Sequence, residues 1–233
     1  MKIAKLKTEN SAEGIFGVWK PKGPTSHDVI DELRRITGIK TIGHAGTLDP
    51  LASGVLVVAI GKENTKKIAE SVNTEKEYVA KVKLGFESAT DDEEGPKTEI
   101  NSSLVPTLQQ IEQILPNFIG EILQTPPNYS AIRIKGNQLY KLARRGKTPK
   151  ETPAPRPVSI KSIEIIEYKY PYLTLDITTG KGAYIRAIAR DLGRQLKTGG
   201  YLAGLERTRV GEFTKEKSLT IDELKRRFQK ETK

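Results

Sequence analysis

Residues 76–85, KEYVAKVKLG, set Tyr78, Ala80, Val82 and Leu84 at alternate positions, with charged or exposed residues between them. Side chains of an extended chain point alternately to opposite faces, so this spacing predicts a strand with one face on a core. Upstream, Gly54 to Ile60 is an apolar run that predicts a buried strand, and TKKIAESV (65–72) predicts a short helix between the two. Further back, GIFGVWK (14–20) has the apolar and aromatic character of a strand, and PKGPTS (21–26) breaks it. A helix then starts near Ser26, with Val29, Ile30, Leu33 and Ile36 on one face and Gly38 as its stop.

Downstream, TLQQIEQILPNF (107–118) offers Thr107 as N-cap with Gln110 three residues later, and Ile111, Ile114 and Leu115 form its buried stripe. Prolines 153, 155 and 157 mark a stiff extended connection into two strands, SIKSIEIIEYKY (159–170) and YLTLDITT (172–179), joined near Pro171. AYIRAIARDLGRQL (183–196) predicts a helix with Ile185, Ile188, Leu192 and Leu196 on one face, and Arg186, Arg190 and Arg194 directed away from it. A strand over LERTRVGEF (205–213) and a last helix, capped by Thr220 with Glu223, complete the order. Strands in series, with helices scattered among them and no regular βαβ rhythm, predict an α+β fold: a mixed, largely antiparallel β-sheet core with flanking helices. The chain is read as a single domain, 1–233, interrupted by an insertion at roughly 117–156.

Among 233 residues, 29% are charged and 36% apolar, and no apolar run nears the roughly 20 residues of a membrane crossing. No membrane association is expected. The N-terminal MKIAKLKTENSAEG has lysines but no apolar stretch behind them, so a secretory signal is not expected and a cytoplasmic location is. With no cysteine and only His27 and His44, a disulfide framework is excluded and a Cys/His zinc site disfavoured; no metal is expected. Net charge is +10, which points to a polyanionic partner. RIKGNQLYKLARRGKTPK (133–150) concentrates Arg133, Lys135, Lys141, Arg144, Arg145, Lys147 and Lys150 without an acid, a local field suited to phosphates. FESATDDEEGPK (86–97), in contrast, reads as a solvated acidic loop.

One carboxylate stands apart. In GHAGTLDPLASGVLVVAIG (43–61), Asp49 sits among glycines just ahead of the buried strand. Aspartate before proline has an ordinary explanation, an N-cap followed by proline at the first helical position. Against it, Gly43, Gly46 and Gly54 permit close approach to the main chain, and the rigid strand behind the loop is a usual support for a reacting group.

These residues carry a resemblance. GHAGTLDPLASGVLVVAIGKENTK (43–66) closely resembles, without gaps, the catalytic motif of the TruB family of tRNA pseudouridine synthases. In the same order, GVWKPKGPTSHDVI (17–30) is similar to that family's Lys-Pro motif, and KEYVAKVKLG to its tyrosine-bearing strand. QTPPNYSAIRIKGNQLYKLARRG (124–146) is similar to its RNA-binding insertion, KGAYIRAIARDLG (181–193) to its arginine motif, and LERTRVGEF to its leucine motif. The resemblance spans roughly residues 14–214. It implies the pseudouridine synthase fold and isomerisation of the tRNA T-loop uridine conventionally numbered 55, with no cofactor and no obligate protein partner, in a monomer.

It further implies Asp49 as the catalytic carboxylate, Arg186 as the cation that keeps it ionised, and Tyr78 as the ring that stacks on the flipped uracil. His44, Lys20, Lys66 and Leu205 become substrate-binding residues. Tyr129, Arg133, Lys135, Lys141, Arg144 and Arg145 become contacts to the T-arm, with Pro126, Pro127 and Ser130 in a stiff turn. Taken singly, each has a plainer reading: Tyr78 and Leu205 as core, Lys20 and Lys66 as solvated lysines, Arg186 as a solvent-facing helix residue, His44 as a loop hydrogen-bonder. The sequence departs from the commoner family pattern at its C-terminus, where KSLTIDELKRRFQKETK (217–233) offers a basic capped helix in place of an additional RNA-binding domain. Two other readings stand beside this one: a non-catalytic module that folds tRNA, and a guide-dependent pseudouridine synthase.

Overall fold

The computed structural model describes residues 12–71, 74–100, 104–129, 133–134, 137–138 and 153–229. Two compact units form, one from residues 1–75 with 207–233 and one from residues 76–206.

In the first unit, strand β3 (Ala52–Ile60) is central. Strand β1 (Gly14–Lys20) runs antiparallel along one edge, pairing Gly14 with Ile60 and Lys20 with Gly54. Strand β2 (Ile42–Ala45) takes the other edge, with His44 opposite Val58. β3 is apolar from Val55 to Ile60 because both its faces are covered. Leu56, Val58 and Ile60 pack with Val29, Ile30 and Leu33 of helix α1 (Ser26–Thr37), while Val55, Val57 and Ala59 pack with Ile68 of helix α2 (Lys62–Ser71). α1 begins at a capping box of Thr25 and Asp28 and stops at Gly38, whose φ of 70° is the left-handed conformation that glycine adopts cheaply.

In the second unit, β4 (Lys76–Leu84) pairs with β11 (Tyr172–Thr179), β11 with β10 (Arg156–Lys169), and β10 with β7 (Gly120–Gln124), all antiparallel. The alternation in β4 is realised: Tyr78, Ala80, Val82 and Leu84 are buried in one cluster with Leu173, Leu175 and Ile177 of β11. Val158, Ile160 and Ile163 of β10, helix α3 (Leu108–Ile114), the 3₁₀ turn Leu115–Phe118, helix α4 (Ile185–Gln195) and Leu202 supply the rest of that core. Two short pairs, β5 (Phe86–Ser88) with β6 (Lys97–Glu99) and β8 (Arg133–Ile134) with β9 (Asn137–Gln138), lie outside this sheet. β12 (Gly200–Val210) neighbours β4, and its residues from Arg207 onward belong to the first unit. There it pairs with β13 (Phe213–Thr214), and α5 (Ile221–Gln229) closes the order.

The expected α+β class with a largely antiparallel sheet is what forms. Residues 120–124, inside the stretch read as an insertion, are sheet, with Ile122 opposite Val158; five residues are too few to show a period in the sequence. No helix among the described residues is long and apolar enough to cross a membrane.

Candidate active site

Asp49 is half-buried and begins a turn, not a helix: its C=O accepts the Ala52 N–H at 3.0 Å, and β3 follows at once. The helix-cap explanation of Asp-Pro therefore fails here; Pro50 occupies the second turn position, where its fixed φ is favourable. The main chain around this carboxylate is held from several directions. Ser26 Oγ donates to the Leu48 C=O at 3.0 Å and accepts the Leu48 N–H at 2.9 Å, while the Gly23 N–H donates to the Pro50 C=O at 2.8 Å. Lys20 Nζ donates to the Ala52 C=O at 2.6 Å and the Pro21 C=O at 2.9 Å. Arg207 donates from Nε to the Val55 C=O and from Nη2 to the Gly46 C=O, both at 2.8 Å.

Lys20 is fully buried and Arg207 only 2% exposed. The solvated-lysine reading of Lys20 is thereby overturned. A buried cation is tolerated when its donors meet acceptors, and carbonyls that no strand partner satisfies are available acceptors at a tight turn. Lys66 differs: it is exposed on α2 and pairs with Glu63 at 2.9 Å, a surface contact worth about 1 kcal/mol or less.

His44, on β2, is half-buried, and its ring meets His27 edge-on with centroids 5.5 Å apart. Its Nδ1 is buried without a hydrogen-bond partner. Burial, and then the nearby His27 and Arg207, depress its pKa below the ordinary 6.5. The folded protein thus resists protonation of His44 more than the unfolded chain does. Stability that is independent of this group above pH 6.5 declines as pH falls through 6.5 toward the lower folded-state value. His44→Gln is expected to flatten that decline, seen as a smaller loss of Tm than the parent shows between pH values above and below 6.5; equal losses would contradict it.

In the second unit, Tyr78 is 6% exposed and belongs to the core cluster, and Leu205 is half-buried against the same cluster. Arg186 and Arg190, on consecutive turns of α4, are 7% and 8% exposed, which overturns the solvent-facing reading of Arg186; Arg194 alone of the three is exposed. The reason lies in the acidic stretch, which is not a solvated loop. Glu93 and Glu94 are exposed, but Asp92 is 2% exposed and Asp91 adopts a φ of 61° that turns the chain inward.

Arg186 donates from Nη1 to Asp92 Oδ2 and to the Thr90 C=O, each at 3.3 Å, and from Nη2 to the Tyr129 C=O at 2.9 Å. Arg190 donates from Nη1 to Asp91 Oδ2 at 2.9 Å, from Nε and Nη2 to both Asp191 oxygens at 2.8 and 3.0 Å, and from Nη2 to the Thr125 C=O at 2.8 Å. Burial works against the Arg190 charge, yet the Asp191 and Asp91 carboxylates outweigh it and move its pKa upward. The sequence alone does not single out Asp91 and Asp92: their partners stand about a hundred positions away, and nothing local distinguishes them from Glu93 and Glu94.

Of the residues expected at an RNA interface, Tyr129 is half-buried at the end of the segment that Arg186 and Arg190 hold. That segment is tied further back as well: the Gln124 side chain accepts the Tyr184 N–H at 2.8 Å and donates to its C=O at 3.1 Å. Arg133 lies on β8 as a strand position. Lys135, Lys141, Arg144 and Arg145 lie outside the described residues.

The model of the TruB family pseudouridylate synthase N-terminal domain matches residues 34–185, and that of the tRNA pseudouridylate synthase B C-terminal domain matches residues 186–233. The chain is 42% identical over 216 residues to the tRNA pseudouridine synthase B of Caldanaerobacter subterraneus subsp. tengcongensis, covering 92% of this chain and 75% of that one. It is 44% identical over 211 residues to the protein of the same name from Clostridium novyi, covering 91% and 72%. Among solved structures it is similar to a chain of the archaeal box H/ACA sRNP Nop10–Cbf5 complex, with a TM-score of 0.69 and 28% identity over 94% of this chain and 55% of that one. A chain of an H/ACA RNP bound to a substrate RNA containing 2′-deoxyuridine gives a TM-score of 0.67 at 28% identity, over 92% and 53%. The chain thus spans about half the length of those solved chains. With family models matched from residue 34 to residue 233 and relatives above 40% identity over nine-tenths of its length, the chain belongs to the TruB family of pseudouridylate synthases.

Proposed function

We propose that the chain isomerises the T-loop uridine of tRNA, position 55, to pseudouridine, with Asp49 as the reacting carboxylate. The observation that carries this reading is the rigid presentation of Asp49: buried Lys20, Ser26 and Arg207 hold the main chain on both sides of a half-buried acid. Reacting groups need placement of this kind, because small displacements cost large factors in rate.

The chemistry asks little else of the protein. The N1–C1′ bond of the nucleotide breaks, a C5–C1′ bond forms, C5 gives up its proton and N1 gains one, so nothing is oxidised or reduced. Asp49 either attacks C1′ as a nucleophile or takes a proton from the sugar as a base, and both routes need the ionised form. By resemblance to the family motifs, Arg186 keeps that carboxylate ionised, Tyr78 stacks on the extruded uracil, and Leu205 forms a wall of its pocket. His44 and Lys66 are assigned to the RNA near the flipped nucleotide, and Lys20 acts from beneath the turn through the Ala52 carbonyl. The insertion, with Tyr129, Arg133, Lys135, Lys141, Arg144 and Arg145, takes the T-arm by its phosphates and loop shape. The enzyme works without a protein partner, in the cytoplasm.

The test is tritium release. A T-arm transcript labelled at C5 of its uridines is incubated with the protein alone, with RNA binding measured in parallel. Release expected from one uridine, and lost when that uridine is replaced by cytidine, supports the reading. Binding without release would instead indicate a tRNA-folding module.

A further inference from the structure

Arg186 and Arg190 make two rungs between the same two segments. On one side stands the acidic turn, with the Thr90 C=O and Asp92 facing Arg186 and Asp91 facing Arg190. On the other stands the chain leading into the insertion, with the Tyr129 C=O on Arg186 and the Thr125 C=O on Arg190. The acidic turn is itself tightly specified. The Asp91 C=O accepts the Leu202 N–H at 3.0 Å, and Asp92 Oδ1 accepts the Glu94 N–H at 3.0 Å and the Thr90 hydroxyl. A shift of Asp91 is therefore carried directly to its covalent neighbour Asp92, whose other oxygen faces Arg186.

Stability is a poor explanation for Arg190. Ile185, Ile188 and Leu192 already anchor α4 in the core, and a buried ion pair contributes little more than an apolar residue of the same volume. What a four-contact guanidinium supplies, and an apolar side chain does not, is angular definition.

We propose that Arg190 is a positioning residue for the isomerisation: by clamping Asp91 and the Thr125 carbonyl, it fixes the Asp92 carboxylate and the aim of Arg186, and registers the root of the insertion on the same helix. The proposal rests on the reading of Arg186 as the arginine that serves the reaction. Arg190 touches no substrate; it acts through Asp91, Asp92 and Arg186. RNA held by the insertion and the arginine that serves the chemistry are thereby referred to one rigid element.

Two variants keep the fold while loosening the rung. Asp91→Asn preserves shape, and asparagine tolerates the positive φ; Arg190→Lys keeps the charge and loses the fork. Single-turnover tritium release at saturating enzyme, affinity for the T-arm transcript and Tm are measured for both, for Arg186→Lys and for the double variant Arg186→Lys/Arg190→Lys. The single-turnover rate is expected to fall roughly tenfold to a hundredfold in Asp91→Asn and Arg190→Lys with unchanged affinity. In the Arg186→Lys background, Arg190→Lys is expected to add little, since both act through one guanidinium. A parental rate in Asp91→Asn and Arg190→Lys, even with a lowered Tm, or losses that multiply in the double variant, would overturn the positioning role while leaving Arg186 in place. A parental rate in Arg186→Lys would overturn the reading beneath it.

Discussion

Asp49→Asn is expected to lower isomerisation roughly 10⁴-fold or more while RNA binding and Tm stay near the parental values. The amide has the shape of the carboxylate, and the main-chain bonds of Gly46, Leu48, Asp49, Pro50 and Ala52 are left intact by the substitution. On the proposed mechanism, what disappears is the reacting oxygen anion. A neutral amide neither attacks C1′ nor removes a proton from the ribose, so both routes close together. Tritium release from the T-arm transcript, with filter binding as control, reads the two quantities separately. Normal turnover by the variant would remove Asp49 from the mechanism and return it to the role of a turn residue.

The second large effect is expected at Gly54. Its φ is +123°, and a Cβ built there would stand 2.2 Å from the Arg207 carbonyl oxygen and 2.5 Å from the Arg207 nitrogen. That neighbour cannot yield by rotating a side chain, because the obstacle is backbone whose own guanidinium is buried and tied to the carbonyls of Val55 and Gly46. Gly54→Ala therefore combines an unfavourable φ with a displaced strand, at about 3 kcal/mol or more. Gly38→Ala is the useful comparison: φ is +70° but nothing lies within 4 Å of the added Cβ, so only the conformational cost of about 1 kcal/mol applies. Thermal unfolding is expected to show a Tm loss several times larger for Gly54→Ala, and single-turnover activity below the transition is expected to drop as well, since Arg207 holds the Gly46 carbonyl beside the Asp49 turn. Equal losses in the two variants would mean that the close approach of Arg207 to β3 does not constrain the fold.

Local chemistry was readable without a structure. Thr107 with Gln110 and Thr220 with Glu223 form the reciprocal caps their spacing predicts, with the Gln110 side chain accepting the Thr107 N–H at 2.8 Å and the Glu223 carboxylate accepting the Thr220 N–H at 2.7 Å. The alternation in KEYVAKVKLG and the apolar run of β3 likewise carry their burial patterns on the surface of the text, because each depends on a period of two or on coverage of both faces. So does the family: the GHAGTLDPLASG stretch and the ordered motifs around it are continuous in sequence. The burial of individual charges was another matter. No periodicity marks Lys20, Arg186, Arg190 or Arg207 as buried, and Asp91 and Asp92 sit in a run of acids.

A charge enters a protein interior only where partners converge on it, and here they come from 32 residues away for Lys20 and Ala52, 94 for Arg186 and Asp92, 99 for Arg190 and Asp91, and 152 for Arg207 and Val55. The longer strands, the helix caps, the α+β class and the family thus follow from short-range periodicity and contiguous motifs. Which charged side chains hold the Asp49 turn, and which carboxylate meets Arg186, emerges only with folding, because it depends on which distant carbonyls and carboxylates come within hydrogen-bonding reach.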